Sequence, residues 1–339
     1  MKSIILNEPG DFDLIDKNFD LELASNEVLM KVHRIGICGT DLHAYEGNQP
    51  FFSYPRILGH ELGLEVVEIG DEVSNVKVGE KCTIEPYKTP NPSDQAVRRG
   101  KTNCAENISV FGVHEDGGMR EYFKYPSEYV HRSEKLSYEQ LALVEPLCIG
   151  CHGVNRAQVS EDDNVVVVGV GPIGLSTIQF AKATGAKVVA LEMDTNRIKF
   201  CRDELNIECV NAGSANVESD IRKCFDGDLP TIVLDATGNP KSMTKAFEYV
   251  AHGGILVFIG LFQGDLTFHD PYFHKKELTL MSSRNALPTD FDQVIRDIEE
   301  GKIDTNPWIT HRAKFDRMID HFDDWLLPES KVIKAMVEL

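Results

Sequence analysis

The residues that can do chemistry fall into two groups, and the first group is suited to a metal ion. Cys38 and Asp41 lie in the stretch GICGTDLHAYEG, and the short motif GHE supplies His60 and Glu61. A thiolate and an imidazole are good zinc ligands, and a catalytic zinc site needs three protein ligands and an open position. The third ligand must come from elsewhere. Glu145, in the stretch LVEPL, is the best carboxylate candidate, and Glu61 competes with it.

The second group is a glycine-rich turn suited to a dinucleotide. The run GVGPIG, residues 169–174, follows the apolar stretch NVVVV and opens a helical pattern. Gly169 permits a tight turn, Gly171 lets the backbone approach a pyrophosphate, and Gly174 lets helix and strand pack closely. Pro172 and Ile173 lie at the helix start, where free N–H groups and the positive end of the helix dipole favour phosphate.

Glu192 ends the next predicted strand, 18 residues after Gly174. A carboxylate there accepts hydrogen bonds from ribose hydroxyls and repels a 2′-phosphate, so we expect NAD as the cofactor; Arg197 nearby is the feature that favours NADP. Ligands of doubly wound sheets lie outside the carboxyl ends of the strands, so residues after later strands also belong to the expected cofactor site. These are Thr237, Gly260, Ser283 and Arg284.

The patterning of apolar residues changes along the chain. Residues 1–150 carry short apolar runs separated by glycine-rich turns, which is typical of a β-rich domain. Strands then alternate with helices, which predicts an α/β architecture with a parallel, doubly wound sheet. The predicted strands are 165–168, 186–191, 231–235, 254–260 and 278–281, with a helix at 172–184. A helix at 290–301, an acidic stretch and a strand at 332–337 make a tail too short for a third domain.

The composition of the chain limits the classes of partner that it is expected to bind. The 339 residues include 35 lysines and arginines against 54 aspartates and glutamates, a net charge of −19 that repels nucleic acid and anionic membranes. No basic-then-apolar leader opens the chain, and no apolar run approaches the length of a membrane span. The eight scattered cysteines are typical of reduced thiols. We therefore expect a cytoplasmic enzyme that acts on a small molecule.

Together these motifs resemble the medium-chain zinc-dependent alcohol dehydrogenase superfamily over nearly the whole chain. The motifs GICGTDLHAYEG, GHE, EPL and VGVGPIG look like its polyol and threonine dehydrogenase branch. The stretches GNQPFFSYPR, GVHEDGG, DPYFHKKE and SRNALP look closer still to the bacterial L-galactonate 5-dehydrogenases and related hexonate dehydrogenases. The resemblance implies a GroES-like catalytic domain (1–150), a Rossmann NAD-binding domain (151–285), a return to the catalytic domain (286–339), and a homodimer or homotetramer.

By motif match, the resemblance assigns the catalytic zinc to Cys38, His60 and Glu145, with Glu61 as a fourth or alternating ligand. The family commonly carries four further cysteines that hold a structural zinc. At those spacings this chain has Pro90, Ser93, Ala96 and Cys104. One thiolate cannot make a closed tetrahedral site, so we expect one zinc ion per chain and no structural zinc.

The resemblance also implies the reaction. Asp41 would orient His60, while Thr40 and His43 stand where the family keeps its proton relay. We expect NAD-linked oxidation of a secondary alcohol on a small polar substrate such as a hexonate, whose carboxylate needs a cationic partner. The candidates for that partner are Arg56, Lys275, Lys276 and Arg284.

Several alternatives remain open at this point. Within the class, the chain resembles polyol and L-threonine dehydrogenases as well. Outside the class stand a zinc-independent NAD(P)H enone or quinone reductase and a non-catalytic NAD-binding protein. The metal-binding and relay residues argue against both, because neither role needs them.

Overall fold

The computed structural model describes residues 1–49 and 52–339, so Pro50 and Phe51 of the GNQPFFSYPR stretch lie outside the described residues. The strands are β1 (Lys2–Glu8), β2 (Asp11–Asp16), β3 (Glu27–Gly36), β4 (Glu61–Ile69), β5 (Lys81–Ile84), β6 (Tyr87–Lys88), β7 (Ser109–Val110), β8 (Tyr122–Pro126), β9 (Val130–Arg132), β10 (Asn164–Val168), β11 (Lys187–Glu192), β12 (Glu208–Asn211), β13 (Ile232–Asp235), β14 (Ile255–Phe258), β15 (Thr279–Ser282), β16 (Ile309–Lys314) and β17 (Lys334–Glu338). The helices are α1 (Gly39–Tyr45), α2 (Gln95–Arg98), α3 (Tyr138–Ala157), α4 (Pro172–Ala183), α5 (Thr195–Leu205), α6 (Val217–Cys224), α7 (Pro240–Tyr249), α8 (Asp270–Lys276), α9 (Pro288–Glu299) and α10 (Ile319–Leu326).

The chain forms two compact units. The first comprises Met1–Pro146 and Leu287–Leu339, and the second comprises Leu147–Ala286. The boundary at Pro146 falls inside α3, which is 20 residues long. No helix within residues 1–49 and 52–339 has the length and apolar character that crossing a membrane requires.

The second unit is built on a six-stranded sheet with the order β12-β11-β10-β13-β14-β15. All of its pairings are parallel. The central strand β10 has the sequence NVVVV, and its four valines are buried, as expected for a strand covered on both faces. This order is that of a dinucleotide-binding Rossmann sheet, so the predicted doubly wound architecture is confirmed. The five predicted strands and the helix at 172–184 are all present, with ends displaced by one or two residues.

The first unit contains a seven-stranded sheet with the order β16-β17-β3-β4-β5-β9, in which β8 also pairs with β3. The two C-terminal strands, β16 and β17, join this sheet through an antiparallel pairing of β17 with β3. The apolar core draws on both parts of the chain and includes Leu62, Phe123, Phe322 and Trp325. The acidic stretch around Trp325 therefore forms the amphipathic helix α10, whose apolar side chains enter this core.

Candidate active site

Three side chains that can bind a metal ion meet in the first unit. One ligand atom from each of Cys38, His60 and Glu61 lies within 4.8 Å of the others. His60 is 5% exposed and Glu61 is fully buried. Ionisable groups are buried at a cost unless they are paired or coordinate a metal ion. A thiolate, an imidazole and a carboxylate in one buried cluster are the donor set that zinc accepts.

Two backbone features place these side chains. Cys38 is the N-cap of α1: its Sγ accepts a hydrogen bond from the Thr40 N–H at 3.5 Å, and the Cys38 N–H donates to Asp41 Oδ2 at 2.9 Å. Gly36 of β3 pairs with Glu61 of β4. A Cβ atom at Gly36 would lie 2.1 Å from Glu61 Oε2, so only glycine leaves room for this carboxylate.

The charge around the cluster fits a bound cation. Burial alone would lower the pKa of His60, but the negative charges of Cys38, Asp41 and Glu145 and a hydrogen bond to Cys38 raise it well above its usual value. Burial raises the pKa of Asp41. Among the described residues, the buried atoms His60 Nδ1 and Asp41 Oδ1 have no hydrogen-bond partner. The residues present therefore fit a divalent ion such as Zn²⁺, which would offset the excess of acidic groups.

Glu145, the carboxylate favoured as third ligand from the sequence, lies in α3 and is 4% exposed. Its oxygens are not part of the 4.8 Å group formed by Cys38, His60 and Glu61. It is close enough to His60 and Glu61 to interact with both electrostatically, and burial raises its pKa. Its Oε1 accepts a hydrogen bond from the hydroxyl of Tyr87. The structure thus places Glu145 next to the three-residue group.

Lys334 is a residue of the site that sequence reasoning missed. Its Nζ lies 2.6 Å from Oε1 and 2.7 Å from Oε2 of Glu61, and 3.1 Å from the carbonyl oxygen of Ile37. Burial alone would lower the pKa of Lys334, but the nearby Glu61 and Cys38 raise it. Lys334 and Glu61 are 273 positions apart in the chain, so no local motif could have identified their contact.

The two predicted relay residues lie on α1, three positions apart. Thr40 is partly buried, and the His43 side chain is 63% exposed with its Nδ1 3.6 Å from Glu46 Oε2. Residues three apart on a helix lie on the same face. Thr40 therefore lies two residues from Cys38, whose Sγ its backbone N–H contacts, and the imidazole of His43 is in contact with solvent.

In the second unit, the glycine-rich turn has the backbone that its sequence predicts. Gly169 has a φ angle of 89°, a left-handed conformation that favours glycine. A Cβ atom at Gly174 would lie 1.8 Å from the Gly169 carbonyl oxygen, so the close packing of helix and strand requires glycine. Gly171 is the N-cap of α4 and Pro172 and Ile173 follow it, with no side chain capping the helix. The helix start is thus suited to bind phosphate.

The other predicted cofactor residues lie around the same sheet edge. Glu192, at the end of β11, accepts hydrogen bonds from the N–H groups of Val170 (2.8 Å) and Met193 (2.7 Å). The Nη1 atom of Arg197 lies 3.9 Å from Glu192 Oε2. The remaining four follow the ends of β13, β14 and β15, which are parallel and end at the same edge. They are Thr237, Gly260, Ser283 and Arg284.

Two of the candidates for binding a substrate carboxylate already have partners in their own unit. Arg56 forms an ion pair with Asp116 at 3.4 Å and donates to Ser53 Oγ at 2.8 Å. Lys276 is buried, and its Nζ donates to the carbonyl oxygens of Glu248 and Val250. Lys276 therefore stabilises the end of α7. Arg284 is exposed.

The segment between β6 and β7, residues 89–108, is called the lobe here. Its hydrogen bonds are organised around Asp94. Its Oδ1 accepts hydrogen bonds from the N–H groups of Ala96 and Val97 at the start of α2, and its Oδ2 accepts one from the Glu106 N–H at 3.1 Å. Cys104 is exposed. Asp94 thus connects the beginning and end of this lobe by hydrogen bonds. The expectation that the lobe holds no zinc stays a prediction.

Two family descriptions match the chain. Residues 24–135 match the alcohol dehydrogenase GroES-like domain, and residues 172–300 match the zinc-binding dehydrogenase family. The first of these matches confirms the predicted GroES-like character of the first unit.

Full-length relatives support the same relationship. The chain is 39% identical to L-galactonate-5-dehydrogenase of Escherichia coli K12 over 338 residues, which cover 99% of this chain and 98% of the relative. It is 29% identical to sorbitol dehydrogenase of Ovis aries, covering 95% and 92% of the two chains. A crystal structure of an alcohol dehydrogenase from Escherichia coli CFT073 in complex with NADH is 27% identical, with a TM-score of 0.93 and coverage of 100% and 99%.

Proposed function

The chain belongs to the zinc-dependent medium-chain alcohol dehydrogenase family, a family of NAD-linked oxidoreductases, and we propose that it oxidises a secondary hydroxyl of a hexonate such as L-galactonate to a ketone. The observation that carries the reaction type is the buried group of Cys38, His60 and Glu61. The substrate class is supported by the 39% identity to L-galactonate-5-dehydrogenase across almost all of both chains.

Four residues are proposed to hold the zinc ion. Cys38 and His60 would supply a thiolate and an imidazole, Glu145 would be the third ligand, and Glu61 would be a fourth or alternating ligand. When bound, the zinc ion supplies Lewis acidity that promotes loss of the substrate hydroxyl proton. Lys334 contacts both carboxylate oxygens of Glu61, which supports Glu145 as the third ligand. Asp41 is proposed to orient His60 through its buried carboxylate.

The proton needs a route to solvent. We propose that the Thr40 hydroxyl accepts the proton of the substrate hydroxyl while it releases its own proton, by way of a cofactor ribose hydroxyl, to the His43 imidazole, which passes a proton to water. The exposure of His43 supports the last step, and histidine exchanges protons near neutral pH. Positioned groups of this kind contribute on the order of 10²-fold or more to such reactions.

Bound NAD would supply the acceptor for the hydride of the substrate carbon. The proposed binding residues are the turn formed by Gly169, Gly171, Pro172, Ile173 and Gly174, together with Glu192, Arg197, Thr237, Gly260, Ser283 and Arg284. Glu192 accepts backbone hydrogen bonds that fix its carboxylate, and an oxygen lone pair remains for a ribose hydroxyl. Its negative charge is the reason to favour NAD over NADP.

The substrate proposal is tested by comparing kcat/KM for matched compounds with NAD, since discrimination between substrates is expressed in that ratio. L-Galactonate and galactitol share a carbon chain and differ in whether a carboxylate or a hydroxymethyl group ends it. Sorbitol and L-threonine represent the alternative branches of the family. We expect L-galactonate to give the highest ratio, and a higher ratio for galactitol, sorbitol or threonine would contradict the proposal.

A further inference from the structure

Tyr87 connects the lobe to the proposed metal site. It lies in β6 and is 3% exposed, and its hydroxyl donates a hydrogen bond to Oε1 of Glu145, which is 58 positions further along the chain. The two residues come from different elements, a short strand and the long helix α3. Neither belongs to a motif that identifies the other, and the mechanism above gives Tyr87 no role.

The backbone of Tyr87 and its ring are both held by contacts. Tyr87 pairs with Val110 in the two-stranded sheet β6-β7. Next to this pair, the Phe111 N–H donates a hydrogen bond to the Pro86 carbonyl oxygen at 2.9 Å. The ring also packs edge-to-face against Phe291 of α9, with ring centres 6.4 Å apart. The hydroxyl therefore has little freedom to leave Glu145.

Glu145 needs a fixed donor more than most carboxylates do. It is 4% exposed, and its Oε1 accepts a hydrogen bond from the Tyr87 hydroxyl. This hydrogen bond satisfies one buried carboxylate oxygen, as buried polar atoms require. It also restricts rotation of the carboxylate, because one oxygen is already occupied.

We propose that Tyr87 is a positioning residue for the metal site, which holds Glu145 Oε1 so that the other oxygen stays available to the zinc ion. This inference rests on the proposed function, in which Glu145 faces the metal. The strand β6, which precedes the lobe, therefore helps to position a zinc ligand through the Tyr87 hydroxyl. Groups that orient metal ligands typically change metal affinity by about 10- to 100-fold when they are removed.

The test compares Tyr87→Phe with Tyr125→Phe. The first variant keeps the ring that packs on Phe291 and removes only the hydroxyl. Tyr125 is also buried, and its hydroxyl donates to the Glu85 carbonyl at 3.0 Å, so Tyr125→Phe removes one buried hydrogen bond without touching Glu145. Zinc affinity is measured on the zinc-free full chain by competition with a chelator. The visible spectrum of the Co²⁺-loaded protein reports the ligand geometry independently.

We expect Tyr87→Phe to weaken zinc binding at least about tenfold and to change the Co²⁺ spectrum, and Tyr125→Phe to do neither. In a Glu145→Ala background, Tyr87→Phe should change zinc affinity less than twofold, because the partner is already gone. Unchanged affinity in Tyr87→Phe, an equal loss in Tyr125→Phe, or a full effect in the Glu145→Ala background would each overturn the inference. No substrate is used, so failure to oxidise L-galactonate would count against the proposed substrate alone.

Discussion

Lys334 and Glu61 form a buried ion pair in which a single ammonium group contacts both oxygens of one carboxylate, at 2.6 and 2.7 Å. The lysine lies in β17 near the end of the chain, and the glutamate begins β4. Lys334 is 2% exposed and Glu61 is fully buried. The pair therefore brings the C-terminal segment of the chain to the residue beside His60.

Replacing Lys334 should destabilise the first unit strongly. In Lys334→Met the carboxylate of Glu61 stays buried without its partner, and breaking a buried pair in this way costs about 3–5 kcal/mol. Both tryptophans of the chain, Trp308 and Trp325, lie in the first unit. Their fluorescence during urea unfolding of the zinc-free protein therefore measures the change.

Two variants control this measurement. Lys314→Met breaks the exposed pair with Glu338 and should cost less than about 1 kcal/mol. The double variant Lys334→Met with Glu61→Gln should recover much of the lost stability, because no unpaired charge is left buried. A loss in Lys334→Met no larger than that in Lys314→Met would show that the pair contributes little.

Local patterns were sufficient to predict the nucleotide-binding half of the protein. The valine run of β10, the glycines at 169, 171 and 174 and the start of α4 are contiguous, so the strand, turn and helix can be inferred from one stretch of sequence. The residues of the metal group could also be predicted, because Cys38 lies two residues after the start of its motif and caps α1, and His60 and Glu61 are neighbours in the chain.

Contacts between distant segments of the chain could not be predicted from local sequence patterns. Lys334 contacts Glu61, and Tyr87 contacts Glu145, only in the folded chain. The sequence around each residue gives no indication of its contact. The full length of α3 was also hidden, because Pro146 lies inside it and prolines usually end helices.

Coenzyme preference should depend on the charge of Glu192. The variant Glu192→Gln keeps the size of the side chain and an oxygen that can accept the Val170 N–H, and it removes the repulsion of a 2′-phosphate. Like charges in contact cost several kcal/mol, so the ratio of kcat/KM with NADP to that with NAD should rise on the order of 10²-fold. The ratio is measured with one alcohol substrate and both coenzymes.

A variant of Arg197 extends this experiment, because Arg197 Nη1 lies 3.9 Å from Glu192 Oε2. An arginine freed from the carboxylate can bind the 2′-phosphate. Adding Arg197→Gln to Glu192→Gln should therefore remove part of the gain with NADP. Glu208→Gln, at the start of the neighbouring strand β12, alters a pair with Arg202 and should leave the ratio unchanged. An unchanged ratio in Glu192→Gln would remove Glu192 from coenzyme selection.

His131 makes the stability of the first unit depend on pH. Its Nδ1 lies 3.0 Å from Asp292 Oδ1, its Nε2 lies 3.9 Å from Glu85 Oε2, and its ring stacks on Phe291. Burial alone would lower the pKa of His131, but Asp292 and Glu85 raise it above 6.5. A raised histidine pKa adds stability that is complete below the unfolded value, about 6.5, and is lost as pH rises through the folded value.

The variant Asp292→Asn isolates this contribution. The interaction with His131 lowers the pKa of Asp292, so this carboxylate is charged throughout the range from pH 5.5 to 9, and its pairing with His131 depends on the charge of the histidine. The aspartate side chain is 69% exposed, so we expect the variant to lose about 1 kcal/mol at pH 5.5 and almost nothing at pH 9. Urea unfolding followed by tryptophan fluorescence at both pH values gives the difference. Asp20→Asn, which breaks a pair with Lys124, should show the same small loss at both, because lysine stays charged. A loss in Asp292→Asn that does not change with pH would mean that His131 does not titrate in this range.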